Sequence, residues 1–154
     1  EGLVILISQK GAQVAGVSRE EVSELFELRL LTEPHLLTLA IPRMDDAVFH
    51  EAEAVIRRME ATDIANWSAL NWAFHRALYL PAERPAILKI VERIHQTIDR
   101  YLRRQIALTG GRETAKREHE HIVATCRQGQ ADLAASLLRV HILNASAALA
   151  TSEG

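Results

Sequence analysis

From Ser18 to the C terminus, apolar residues recur every three or four positions, in segments that proline and glycine residues interrupt. This period is typical of amphipathic helices that bury one face. The main interruptions lie at Pro42, Pro81, Gly110, Gly111 and Gly129. Because helices separated by short connections pack side by side, the pattern predicts an all-α antiparallel bundle of about six helices.

The residues at the helix ends indicate where each helix begins. Ser18-Arg19-Glu20-Glu21 matches a capping box, so the first helix begins there, and Pro34 is expected to kink or split it before Pro42 ends it. Asp45 or Asp46 can cap the second helix. The remaining helices are predicted at about residues 45–60, 66–80, 85–109, 113–127 and 131–149.

The first seventeen residues have a different pattern. Leu3 to Ile7 is apolar and rich in β-branched residues, Lys10-Gly11 indicates a turn, and Ala12 to Val14 resumes an extended pattern. This pattern predicts one β-hairpin. A two-stranded hairpin alone is marginal in water, and the chain does not begin with methionine, so we expect a further domain that this sequence lacks.

Composition restricts the class of protein. With 154 residues, 48% hydrophobic and 25% charged, the chain is predicted to fold as one globular domain. Its net charge of -2 lacks the basic footprint of a DNA-binding domain. No signal peptide is recognisable, no apolar run approaches a membrane span of about 20 residues, and the single cysteine fits a reducing compartment. We therefore expect a cytoplasmic location without membrane contact.

Three of the seven histidines fall on predicted inner helix faces. They are His75, His119 and His141, each on a different helix, and Asn71 lies one turn before His75. Three neutral imidazoles with an oxygen ligand suit Zn²⁺ or a related ion. The alternative is that each imidazole is a core residue that bonds a backbone carbonyl. The other histidines, which we expect to be solvated or ordinary structural residues, are His35, His50, His95 and His121.

The arginines allow two interpretations each. Arg29 lies on the inner half of the first helix, where its guanidinium can await an anionic ligand or pair with Glu33. A second group either lines a pocket or, as we favour, solvates the surface of the fourth helix: Arg100, Arg103 and Arg104, with Asp99.

These residues, taken together, resemble a known family. Residues 70–78, Leu-Asn-Trp-Ala-Phe-His-Arg-Ala-Leu, resemble the D/N-x-x-F-H-x-x-L signature of the FCD domain, the C-terminal ligand-binding domain of FadR-branch GntR transcription regulators. Residues 118–124 followed by Gly129 and His141 resemble the E-H-x-x-I … G-D … A … H ending. The family's E-x-R … L-E-P pattern is matched by Glu27, Arg29, Glu33 and Pro34, with Thr32 in the leucine place. Residues 1–14 resemble the wing of the family's N-terminal winged helix-turn-helix, so the resemblance covers nearly the whole chain.

The resemblance implies a domain organisation and a function. Residues 1–17 would be the remnant of the wing, and residues 18–154 an effector-binding and dimerisation domain of a bacterial regulator. Such a homodimer senses a small carboxylate and holds operator DNA only through an N-terminal domain, which is missing here. It implies a regulator and not an enzyme.

The resemblance also implies a set of site residues. In many such domains an aspartate and three histidines hold a metal, and the carboxylate of the effector can complete its coordination. The implied metal ligands, which also border the effector, are Asn71, His75, His119 and His141, and Arg29 becomes the effector anchor. Zn²⁺ is the expected ion, with Ni²⁺ or Mn²⁺ as alternatives. Asn71 replaces the aspartate without its charge, which should weaken the metal affinity, whereas Gln130 in place of aspartate should affect only a helix start.

Two other functions are compatible with the residues alone. A metal-dependent hydrolase can use three histidines that leave a position open for water, although no HExxH helix, nucleophile motif or obvious paired acid or base accompanies them. A metal-free helical interaction module is the second alternative, in which the histidines are simply core residues.

Overall fold

The computed structural model describes the backbone of residues 4–7, 11–14, 18–109 and 111–152, and the side chains of 18–99, 101–103, 106–107 and 111–150. Its strands and helices are β1 Val4–Ile7, β2 Gly11–Val14, α1 Arg19–Ala40, α2 Asp46–Ala61, α3 Ile64–Tyr79, α4 Pro85–Thr109, α5 Arg112–Arg127 and α6 Ala131–Ser152. Short 3-10 turns follow α1 at Ile41–Arg43 and α3 at Leu80–Ala82, around Pro42 and Pro81. The predicted helical bundle is confirmed.

The two strands form an antiparallel pair. Val4 lies opposite Val14 and Ile7 opposite Gly11, in agreement with the predicted hairpin. Gly11, predicted in the turn, instead begins β2, and Lys10 lies outside the described residues. The assignment of this hairpin as a wing stays a prediction.

Side-chain caps fix the start of the first three helices. At α1 the Ser18 hydroxyl accepts from the Glu21 amide at 3.1 Å, and the Glu21 carboxylate accepts from the Ser18 amide at 2.7 Å, which confirms the capping box. Asp45, rather than Asp46, caps α2. Asp63 caps α3, so this helix begins earlier than predicted, at Ile64.

Pro34 was expected to kink or split the first helix. The split is wrong, because α1 continues through it, and the kink stays a prediction. Proline has no N–H, so it cannot donate to the carbonyl of Leu30 four residues earlier. Arg139 on α6 supplies that bond instead, since its Nη1 donates to the Leu30 carbonyl at 2.9 Å. The adjacent helix thus satisfies the backbone group that the proline leaves free.

The helices surround one core. α1 packs on α6 and α4, α2 packs on α3 and α5, and α3 and α6 also contact α4. Fully buried members of this core include Leu36, Leu37, Phe74, Ile98, Ile122, Leu138 and Ile142. His75, His95, His119 and His141 lie within four of these helices, and all four side chains are buried in the bundle.

One helix, α6, bears on the prediction that no segment of the chain approaches a membrane span. Among the described residues, Ala131–Ala150 is long and apolar enough to cross a membrane by length and composition alone. The same helix packs against α1, α4 and α5, and it places His141 inside the bundle. Its apolar surface is shared between the core and an outer side, where Val140 and Leu143 are exposed.

Candidate metal and effector site

The three predicted inner histidines converge. One ring nitrogen from each of His75 on α3, His119 on α5 and His141 on α6 lies within 4.8 Å of the others. All three side chains are buried. They meet because each occupies the inward position of its helix, as the helical period predicts.

Several buried polar atoms around this point have no hydrogen-bond partner among the residues that the structure describes. They are Nε2 of His75, both ring nitrogens of His119, Oδ1 of Asn71 and Nη2 of Arg29. Such atoms are rare in folded proteins, because each unmade bond costs about 1–3 kcal/mol. Imidazole nitrogens with an amide oxygen form a donor set for Zn²⁺ and related ions. The residues present therefore fit a divalent metal.

Neighbouring side chains orient two of the three histidines. Nδ1 of His141 donates to Oε2 of Glu118 at 2.7 Å, and the Asn144 amide donates to the other oxygen of Glu118 at 2.6 Å. Nδ1 of His75 lies 3.2 Å from the Tyr79 hydroxyl. Both contacts use Nδ1 and not Nε2, and a metal-binding histidine is usually held in this way through its other nitrogen.

Burial sets the protonation state of the cluster. It lowers the pKa of His75 and of His119 well below the ordinary value, since a charged imidazole is poorly solvated there. Burial alone would raise the pKa of Glu118, but hydrogen bonds from His141 and Asn144 hold it below its ordinary value. Neutral histidines beside an ionised carboxylate are the forms that bind a metal ion.

Arg29 makes the pairing with Glu33 that its sequence position allows, and its role as a ligand anchor stays a prediction. Its Nε donates to Oε1 of Glu33 at 2.6 Å, and both side chains are buried. Its guanidinium also lies over the Phe26 ring, 5.2 Å from the centroid. Nη2 is nevertheless unpartnered among the described residues and available to a ligand.

Glu33 lies at the centre of a network of hydrogen bonds, of which the sequence indicated only the pair with Arg29. Its Oε2 accepts from the Tyr79 hydroxyl at 2.7 Å, and its Oε1 lies 3.1 Å from Nε2 of His95. Burial would raise the pKa of Glu33, but Arg29 and His95 hold it well below the ordinary value. His95 is thus a satisfied structural residue, as expected, and the signal for its burial was its place between apolar residues on α4.

The other candidate residues lie away from this cluster. His35, His50 and His121 are exposed. Arg103 pairs with Asp99 at 2.7 Å in a partly exposed position, which agrees with a surface role. The side chains of Arg100 and Arg104 lie outside the described residues. The backbone carbonyl of Gln130 accepts from the Ala134 amide, so Gln130 lies at the start of α6, as predicted. Gly129 before it has a left-handed φ of 70°.

A cavity of about 190 Å³ adjoins the cluster. Arg29, Asn71 and His141 border it, and the rest of its lining is mostly apolar. The site therefore combines unpartnered polar atoms with space for a small molecule.

The chain matches a known protein family. The family model described as FCD domain matches residues 24–144. This chain belongs to the FCD domain family. A curated relative, the HTH-type transcriptional repressor GlaR of Escherichia coli strain K12, is 28% identical over 155 residues, which cover 93% of this chain and 70% of the relative.

Solved structures show the same fold. A GntR family regulator from Pseudomonas syringae pv. tomato superposes with a TM-score of 0.78 at 24% identity, over 98% of this chain and 65% of that one. E. coli McbR/YncC gives a TM-score of 0.83 at 15% identity, over 97% of this chain and 77% of that one. The family match makes the chain an FCD domain, an effector-binding regulatory domain and not an enzyme, and the solved structures show that it shares their fold. Its place among GntR regulators of the FadR branch stays a prediction.

Proposed function

We propose that this FCD domain senses a small carboxylate at a divalent metal site and passes the signal to a DNA-binding domain of a longer protein. The observation that supports the proposal is the convergence of three buried histidines, with unpartnered atoms of Asn71 and Arg29 beside them. A purely structural core would have satisfied these atoms.

His75, His119 and His141 would hold the metal, and the Asn71 carbonyl oxygen would complete the protein's donors. Zn²⁺ is the expected ion, with Ni²⁺ or Mn²⁺ as alternatives. The bound ion supplies positive charge for a carboxylate oxygen. Arg29 donates from Nη2 to the same carboxylate, while Glu33 fixes its guanidinium through the bond to Nε.

The route of the signal starts at α1. This helix carries Arg29 and begins at Arg19, next to the segment that we assign as the remnant wing, residues 1–17. Suppose that α1 and α6 have two arrangements. A ligand that binds Arg29 more tightly in one of them shifts the equilibrium towards that arrangement. In the intact regulator this shift would change operator binding by the N-terminal domain, in the cytoplasm.

Exposed apolar side chains support a homodimer through residues 18–154. Leu28 and Leu31 on α1 and Val140 and Leu143 on α6 are exposed, with Leu31 71% exposed, and these two helices pack against each other. A second copy of the chain would cover such a surface. A two-fold dimer is also what a regulator needs in order to read two half-sites of an operator.

A thermal-shift experiment tests the sensing role. The chain supplied with Zn²⁺ should gain stability from small carboxylates, because a ligand that binds only the folded state raises its apparent stability. Arg29→Lys keeps the charge but loses the guanidinium geometry, so it should reduce the carboxylate shift and leave the Zn²⁺ shift intact. Arg57→Lys, an exposed residue on α2, is the control. An unchanged carboxylate shift in Arg29→Lys would contradict the assignment of the anchor.

A further inference from the structure

The size of the cavity limits the effector. At about 190 Å³ it lies below the range of about 300–1,000 Å³ for drug-sized ligands. This space suits a small metabolite better than a drug-sized molecule.

The cavity changes from polar to apolar along α5 and α6. On α6, Ala145 and Ala148 follow His141 at four and seven residues, on the same face and up to about 10 Å further along the axis. On α5, Glu118 bonds His141, and Ala115 lies almost one turn further from it. The small alanines leave the space that a ligand body would fill.

α3 and α4 repeat this change. Asn71 borders the polar end, and Trp67 lines the cavity one turn further from the histidines. Leu102 and Ile106, one turn apart on α4, complete the apolar end. Four helices thus place apolar side chains around the same part of the cavity.

The polar and apolar ends of the cavity also differ in charge. Among the described residues that line the cavity, Arg29 is the one arginine or lysine. A second carboxylate at the apolar end would meet mostly apolar side chains and the Thr114 hydroxyl, with no cation except Arg29 among the described lining residues. Burial of an unpaired carboxylate is costly. The apolar end therefore discriminates against dicarboxylates.

We propose that the effector is a monocarboxylate with a short apolar body, selected by Trp67, Leu102, Ile106, Ala145 and Ala148. This inference rests on the proposed function, since it takes the carboxylate to lie at Arg29 and the histidines. The carboxylate determines binding in general, and the apolar end determines which carboxylate binds.

Isothermal titration of the Zn²⁺-supplied chain with acetate, hexanoate and hexanedioate tests this selection. Hexanoate should bind at least tenfold more tightly than acetate, because its body fills the apolar end. It should also bind at least tenfold more tightly than hexanedioate, which has the same length and a second carboxylate. Equal or tighter binding of hexanedioate, or hexanoate no tighter than acetate, overturns the inference and leaves the carboxylate sensor standing. No binding of any of the three overturns both.

A variant that fills the apolar end separates selection from anchoring. Ala145→Leu should weaken hexanoate binding at least fivefold and leave acetate binding within twofold. Ala147→Leu, an exposed position on the same helix, should change neither. Ala148→Leu makes the same test if Ala145→Leu does not fold. Equal weakening of acetate and hexanoate by the cavity variant would overturn the role assigned to these alanines.

Discussion

Two buried polar clusters lie side by side in this bundle, and they differ in how completely their hydrogen bonds are made. Glu33 has a donor from Arg29, one from Tyr79 and a partner in His95. His119 is equally buried, yet neither of its ring nitrogens has a partner among the described residues. A buried histidine is thus satisfied in the first cluster, at His95, and unsatisfied in the second, at His119.

This difference separates a structural network from a ligand site. A completed network fixes side chains, and the loss of one member leaves the others as unpaired buried groups. An incomplete cluster costs stability until a ligand supplies the missing partners. The first cluster should therefore respond to mutation through stability, and the second through binding.

The largest effect is expected at the completed network. Glu33→Gln leaves the Arg29 charge buried without its counterion, so the free energy of unfolding should fall by about 3 kcal/mol or more, measured by urea denaturation. Glu27→Gln, an exposed position on the same helix, should change it by less than about 0.5 kcal/mol. A Glu33→Gln variant as stable as the control would show that the network contributes little.

Acid should destabilise the metal-free chain through the incomplete cluster. The pKa of His75 and of His119 is lowered in the folded state, so below the ordinary value of 6.5 the unfolded chain binds more protons. Stability should therefore fall as the pH drops from 6.5 towards the folded-state pKa values, by up to about 1.4 kcal/mol per pH unit for each histidine. Urea denaturation of chelated protein between pH 7.5 and 5.5 measures this slope, and His119→Leu should reduce it. A slope that this variant leaves unchanged is the opposing result.

The missing aspartate can be restored. Asn71→Asp adds a negative charge beside the histidines, so it should raise Zn²⁺ affinity about tenfold or more, equal to about 1.4 kcal/mol, in isothermal titration. Ala69→Asp adds the same charge at an exposed position of α3 and should leave the affinity nearly unchanged. If both variants behave alike, Asn71 is not beside the metal.

The smallest change in the free energy of unfolding is expected for His119→Leu in the metal-free protein. His119→Leu replaces an unpartnered polar ring by an apolar side chain, so the free energy of unfolding should change by less than about 1 kcal/mol. His95→Leu removes the partner of Glu33 and should cost about 1.5–3 kcal/mol. Equal losses in urea denaturation would mean that the two clusters do not differ.

The sequence predicts elements within one helix better than contacts between helices. Ser18, the prolines and the apolar period were sufficient for the helices, and His75, His119 and His141 were recognisable because each lies on an inward face. The contact between Glu33 and His95 joins residues 62 positions apart. It depends on how α1 and α4 pack, which a helical period does not specify.

The same limit applies to α1 at Pro34. The sequence shows the missing N–H, but the donor that replaces it, Arg139, lies on α6. Arg29 was ambiguous for a related reason, since its pairing with Glu33 is local while the cavity that it borders is formed by residues of other helices.

If the incomplete cluster is a metal site, the chain takes up metal, and the metal content of the purified protein measures this. Elemental analysis should be made after chelation, incubation with Zn²⁺ and removal of unbound ion, on the unmodified chain and on His119→Leu. We expect about one Zn²⁺ per unmodified chain and almost none per His119→Leu chain, with both proteins folded. No uptake by the unmodified chain, or equal uptake by both, would contradict it and favour a metal-free helical module.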